Sequence, residues 1–125
     1  MLPRIFKVLM LLAIMALSHA AYASNKEPIF INLATNEPDK VLMALDAASR
    51  YSEKGFPIVI YLNDKAVVLG VTNKVTHVSK TQEALKKAIA GGSTVIICPS
   101  CLEDLGLSSN DLTEGIKIGN LHKSV

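Results

Sequence analysis

Two cysteines separated by two residues are the part of this sequence best suited to chemistry. Cys98 and Cys101 flank Pro99 and Ser100, and the apolar segment Thr94 to Ile97 runs directly into the first cysteine. A thiol at a strand end and just before a helix meets unpaired backbone N–H groups, which favour the thiolate over the thiol. The thiolate is the nucleophile, and a second thiol nearby can attack whatever forms on the first. The pair could therefore make and release a disulfide or a persulfide.

The spacing of the cysteines alone leaves redox or sulfur chemistry, metal binding and an inert disulfide open. A purely structural crosslink is a weak explanation, because closing so short a loop removes little entropy from the unfolded chain. His77 and His122 could join the cysteines as zinc ligands, but the separations match no common zinc-binding pattern. We therefore predict no metal and no cofactor, and interpret both histidines as solvated residues.

The amino terminus has the residue order of a secretory signal peptide. Arg4 and Lys7 precede an apolar run from Val8 to Leu17, and the small-residue sequence Ala21-Tyr22-Ala23 follows. The run is about ten residues long, whereas a membrane-spanning helix needs roughly twenty. The pattern predicts a signal peptide over residues 1–23, cleavage after Ala23, a periplasmic location and no stable membrane anchor after cleavage.

Charge and composition narrow the class of protein further. The formal net charge of the 125-residue chain is +2, and both basic residues of the predicted signal peptide would be lost on cleavage. The remaining chain then has no basic surplus to neutralise phosphates, so we predict no nucleic-acid partner. Half of the residues are apolar and tryptophan is absent, which indicates one aliphatic core and a single domain over residues 24–125.

Strands and helices are predicted to alternate along this domain. Continuous apolar segments predict buried strands at Pro28 to Ala34, Pro57 to Leu62 and Thr94 to Ile97. Apolar residues at helical spacing follow the first strand, from Val41 to Tyr51, and precede the third, after Ser79. Strands joined by helices predict a parallel sheet with right-handed crossovers. The predicted fold is α/β, a three-layer flavodoxin-like sandwich with a mainly parallel sheet.

A fold of this class predicts where the site lies. Ligands bind outside the carboxyl ends of parallel strands, near a point where the strand order reverses. The residues that follow the three predicted strands form the predicted substrate-binding cleft, with Cys98 and Cys101 as its catalytic pair: Thr35, Asn36, Asn63 and Asp64. Asp64 could accept a proton near the thiols, although a turn residue after a strand is the simpler interpretation.

The carboxyl-terminal part of the sequence resembles a known family. Residues 94–107, TVIICPSCLEDLGL, and residues 110–115, NDLTEG, are similar to the DsrE/DsrF-like family of small α/β sulfur-relay proteins. Members often carry Cys-x-x-Cys followed five residues later by Gly, and Cys98, Cys101 and Gly106 match those positions. The resemblance covers most of the predicted mature chain, with the cysteine segment as its specific part.

The resemblance implies a use for the thiols. It implies a sulfur carrier or sulfurtransferase-type protein that holds sulfur on Cys98 as a persulfide, with Cys101 as the resolving thiol. The partner would be a protein thiol or another sulfur donor or acceptor, and the protein would be a homo-oligomer. Where many members have a basic residue before the glycine, this chain has Leu105.

Two other interpretations stay open at this point. The periplasm is oxidising, so the pair could belong to a dithiol-disulfide oxidoreductase. Alternatively, the protein could be a non-catalytic oligomeric module that binds a small ligand in the cleft, with the cysteines in an inert disulfide.

Overall fold

The computed structural model of the protein describes residues 3–17, 25–72 and 79–120. The predicted cleavage site after Ala23, and the histidines His77 and His122, lie outside these residues. In chain order the elements are helix α1 (Arg4–Leu17), strand β1 (Ile29–Leu33), helix α2 (Pro38–Glu53), strand β2 (Ile58–Leu62), a 3₁₀ helix (Asp64–Gly70), helix α3 (Ser79–Ala90), strand β3 (Thr94–Ile97), helix α4 (Pro99–Asp104), a short 3₁₀ segment (Ser109–Asp111) and strand β4 (Ile116–Ile118).

Four strands form a single sheet in the order β1-β2-β3-β4, and every neighbouring pair is parallel. The predicted α/β fold with a parallel sheet is confirmed. Leu33 pairs with Leu62, and Leu62 pairs with Ile97, so the first three strands end at the same level. The described strands follow one another in chain order, so the expected reversal of strand order is not found among them.

The hydrophobic core lies on one face of the sheet. Because side chains alternate between the faces of a strand, Ile60 and Val95 share the core face, and both are fully buried. Helix α2 contributes Val41 to this core and α3 contributes Leu85, each shielded from solvent. In this sheet each new strand is added on the same side of the previous one. Because the crossovers are right-handed, the connecting helices then all lie on the same face of the sheet. The strand order therefore explains why the helices collect there.

The opposite face of the sheet is less protected, and we call it the open face. It is formed by Phe30, Val59, Tyr61 and Ile96, all of them partly or largely exposed. Phe30 is 61% exposed, and its ring stacks on that of Tyr61 with 6.2 Å between centroids. Helices α2 and α3 pack against the core face of the sheet, since the described strands follow one another in chain order.

Helix α3 is joined to the 3₁₀ helix by a polar side chain. The Gln82 amide donates a hydrogen bond of 2.7 Å to the carbonyl of Val71 and one of 3.4 Å to that of Val68. These bonds give side-chain partners to two carbonyl groups near the end of the 3₁₀ helix, where carbonyl groups run out of partners within the helix. The 3₁₀ helix, which begins at the carboxyl end of β2, is thereby held against α3.

Helix α1 is formed by residues of the predicted signal peptide. Its apolar side chains from Ile5 to Leu12 are largely exposed. None of the described helices is long and apolar enough to cross a membrane.

A dithiol cavity at the carboxyl edge of the sheet

The sheet brings Cys98 and Asn63 to the same edge. Beyond the last paired residues, the N–H of Asn63 donates to the carbonyl of Leu33 at 3.0 Å, and that of Cys98 donates to Leu62 at 2.9 Å. The parallel ladder thus continues for one residue past β2 and past β3. Asn63 and Cys98 each follow a strand directly, so the two residues lie side by side at the carboxyl edge of the sheet.

Local sequence makes the chain turn sharply at Cys98. A residue before proline is restricted to extended conformations, and Cys98 has φ −64° and ψ 117°. Pro99 then occupies the start of α4, where its missing N–H costs no helical hydrogen bond. The first turn of α4 returns the chain toward β3, with 5.3 Å between the Cα atoms of Cys98 and Cys101. The two sulfurs are joined in a disulfide.

The two sulfurs have different surroundings. The backbone N–H of Cys101 donates to Cys98 Sγ at 3.3 Å, and Ser100 Oγ lies 3.3 Å from the same sulfur. Cys98 is only 7% exposed, whereas Cys101 is partly buried. Cys98 therefore has polar donors around its sulfur, and Cys101 is the more accessible residue of the pair.

Both cysteines line an open cavity of about 710 Å³ at this edge. Its walls are formed by Asn32, Asn36, Tyr61, Asn63, Asp64, Lys65, Val68, Cys98, Cys101, Asp104 and Leu105. Asn36, Asn63 and Asp64 are thus brought together with the cysteine pair, as the sequence predicts. Thr35 is not among the lining residues. Its hydroxyl instead accepts the N–H of Glu37 at 3.1 Å, just before α2.

Other lining residues were not predicted from the sequence. Asn32 accepts a hydrogen bond from the Asn63 side-chain amide, which links the ends of β1 and β2. A polar residue near the end of an otherwise apolar strand is the signal that could have found Asn32. Among the lining residues, Lys65 is the cation, and Asp64 and Asp104 are the anions. A charged ligand would therefore meet both signs of charge.

Asp64 has an unusual backbone conformation. Its φ is 48°, and no other non-glycine residue in the described part of the chain has a positive φ. Aspartate enters this left-handed region more readily than most residues, but at some cost in free energy. The conformation lets the chain leave β2 and enter the 3₁₀ helix at once, which keeps the Asp64 side chain at the cavity wall.

A second cavity, of about 490 Å³, lies between α2 and α3. Its lining includes Asp46, Ser49 and Lys87 but neither cysteine. Across residues 3–17, 25–72 and 79–120, no group of three or more His, Cys, Asp or Glu side chains is arranged to hold a metal ion. The edge cavity is the better candidate site because it contains the two sulfur nucleophiles.

The fold and the site together define a class: small α/β proteins with a parallel sheet that carry a cysteine pair at its carboxyl edge. The model of the DsrE/DsrF-like family matches residues 26–124. The chain therefore belongs to the DsrE/DsrF-like family.

Solved structures agree with this assignment. The ychN protein from E. coli is 26% identical, with a TM-score of 0.60 over 78% of this chain and 86% of that one. MTH1491 from Methanobacterium thermoautotrophicum, described as a protein of unknown function, is 14% identical, with a TM-score of 0.66 over 77% of this chain and 83% of that one. The likeness to MTH1491 shows the fold alone. No protein of curated function matches the chain.

Proposed function

We propose that this protein is a sulfur carrier or sulfurtransferase-type relay protein that holds sulfur on Cys98, with Cys101 as the resolving thiol. Membership of the DsrE/DsrF-like family supports a sulfur-relay function. The observation that carries the proposal is the sulfur environment of Cys98. Two polar groups lie 3.3 Å from its Sγ, and a second cysteine is close enough to bond to it.

The proposed cycle begins with the reduced pair. The Cys98 thiolate attacks the outer sulfur of a donor such as thiosulfate, whose S–S bond breaks and whose sulfite leaves with the electron pair. Cys98 then carries a persulfide. An acceptor thiolate can take the outer sulfur and return Cys98 to its thiolate. Alternatively, the Cys101 thiolate attacks Cys98 Sγ, expels hydrosulfide and forms the disulfide seen in the structure.

Mass measurement of the intact protein tests the proposal. After reduction and exposure to thiosulfate or an organic persulfide, the protein should gain one sulfur that reductant removes. Cys98→Ser should abolish the gain, whereas Cys101→Ser should retain it for longer, because no second thiol is present to expel it. Protein alkylated beforehand is the control. Equal uptake by Cys98→Ser and the unaltered protein would contradict the assignment of Cys98.

The disulfide itself favours a second candidate, a dithiol-disulfide oxidoreductase. An accessible disulfide between cysteines so close in sequence can exchange with other thiols. Equilibration in glutathione buffers distinguishes the candidates. A reversible pair that takes up no sulfur supports the oxidoreductase. A pair inert in both assays leaves the non-catalytic small-ligand module.

We further propose that the protein acts in the periplasm, on a protein thiol or another sulfur donor or acceptor. The support is the signal-like order of residues 1–23, which predicts export. An amino terminus at Ser24, found in the soluble fraction of the cell envelope, is the expected result. Intact Met1 in the membrane fraction would overturn this location.

A further inference from the structure

We propose that the disulfide opens at Cys101: an incoming thiolate bonds to Cys101 Sγ, and Cys98 leaves as a thiolate stabilised by Ser100. The inference rests on the proposed function, since it concerns how the same pair is returned to its reduced state. It assigns the two cysteines separate tasks and gives Ser100 a role as the positioning residue for the thiolate of Cys98.

Accessibility is the first reason for this direction. A thiolate must approach the attacked sulfur from outside the disulfide, in line with the S–S bond. Cys98 is 7% exposed and is enclosed by the end of β3 and the first turn of α4. Cys101 is partly buried and lines the open cavity. An incoming thiol therefore reaches Cys101 with less displacement of protein atoms.

The fate of the leaving sulfur is the second reason. The sulfur that departs takes the electron pair, and exchange is faster when the leaving thiolate is more stable. Cys98 Sγ has the Cys101 N–H and the Ser100 hydroxyl at 3.3 Å, and both can donate to a thiolate. Among the hydrogen bonds found in the described residues, none reaches Cys101 Sγ. Both factors therefore select the same direction.

The step balances without a further oxidant or reductant. The attacking thiolate forms a bond to Cys101 Sγ, the bond between Cys101 and Cys98 breaks, and the pair of electrons moves to Cys98. A second thiolate attacks the sulfur of the first thiol, which releases a disulfide of the two reducing thiols and leaves Cys101 as its thiolate. The reductant is therefore two equivalents of a thiol, either small or part of a protein. Cys98 emerges first, as the thiolate that loads sulfur.

The direction is measured on the first intermediate. The oxidised full-length protein is mixed with 2-mercaptoethanol, quenched rapidly in acid and digested with pepsin under acid conditions, and fragmentation of the cysteine peptide locates the adduct. Mercaptoethanol should be on Cys101 in about tenfold excess over Cys98. An adduct mainly on Cys98 would overturn the inference and leave sulfur uptake by Cys98 intact. A disulfide that resists the thiol altogether would also overturn it.

Ser100→Ala tests the leaving-group argument separately. Loss of the hydroxyl should raise the pKa of the Cys98 thiol, measured from thiolate absorbance against pH in a Cys101→Ser background. In the protein that keeps both cysteines, the same substitution should slow the opening of the disulfide about tenfold. Ser109→Ala, at an exposed serine outside the cavity lining, is the matched control and should change neither value. An unchanged Cys98 pKa in Ser100→Ala would remove Ser100 from the proposal.

Discussion

Cys98 and Cys101 illustrate how two identical residues acquire different chemistry from their backbone positions. Cys98 ends a strand and precedes a proline, so its sulfur is placed beneath the first turn of α4 and accepts that turn's N–H. Cys101 belongs to the turn itself and faces the cavity. The difference was predictable from the sequence, because a strand end followed by proline fixes where the chain turns. Thr35 was not, since either of two adjacent polar residues could have reached the cleft.

Asp64 provides a prediction at the residue scale. Replacing it with glycine should raise the free energy of unfolding by about 0.5 to 1 kcal/mol, because glycine adopts a positive φ without strain. Urea denaturation measures the change. Lys65→Gly, one residue later and without a positive φ, is the control and should lower stability by about the same amount. If both variants are destabilised equally, the φ of Asp64 carries no strain.

At the scale of elements, the strands were predictable but their order in the sheet was not. Each predicted strand is within one residue of the observed one at either end, since a continuous apolar run has few alternatives to a buried strand. The sequence does not indicate which strand neighbours which, and that order decides on which side a crossover helix packs. Phe30 and Val59 look like core residues in sequence for this reason, yet they belong to the open face.

The contact between the 3₁₀ helix and the sheet leads to a second prediction. A Cβ atom on Gly70 would approach Ile116 and Ile97 to 3.1 Å and Leu62 to 3.2 Å. Gly70→Ala should therefore lower the free energy of unfolding by about 1 to 3 kcal/mol through overpacking. Gly91→Ala is the control, since its Cβ would be 3.4 Å from the nearest atom, an ordinary contact. Equal stability of the two variants in thermal melts would show that the strand side chains give way easily.

At the scale of the whole molecule, we propose that the open face joins copies of the protein into a homo-oligomer, most simply a trimer or hexamer. Covering an apolar sheet face lowers the free energy of the system, because the apolar side chains are removed from water. The open face is also continuous with the cavity, since Tyr61 belongs to both. A second copy seated there would therefore lie beside the dithiol.

Sedimentation of two charge variants tests this assembly. Phe30→Glu should reduce the mass in solution to that of a monomer, because a carboxylate would be buried without a partner in the interface. Met43→Glu, at a residue 74% exposed on α2, adds the same charge elsewhere and should leave the mass unchanged. A monomeric mass for the unaltered protein at micromolar concentration would contradict the proposal.

The order of the strands also has a consequence for how the chain acquires its structure. Each strand is added beside the one that came before it, so every pairing joins neighbouring segments of sequence. Paired residues are 21 to 35 positions apart in the sequence, so each pairing closes a single crossover connection, and β1 can pair with β2 before β3 is in place. We expect the edge formed by β1 and β2 to be present before β3 pairs with β2 and places Cys98 there. We expect oxidation of the pair to need the pairing of β3 with β2 but not that of β4 with β3.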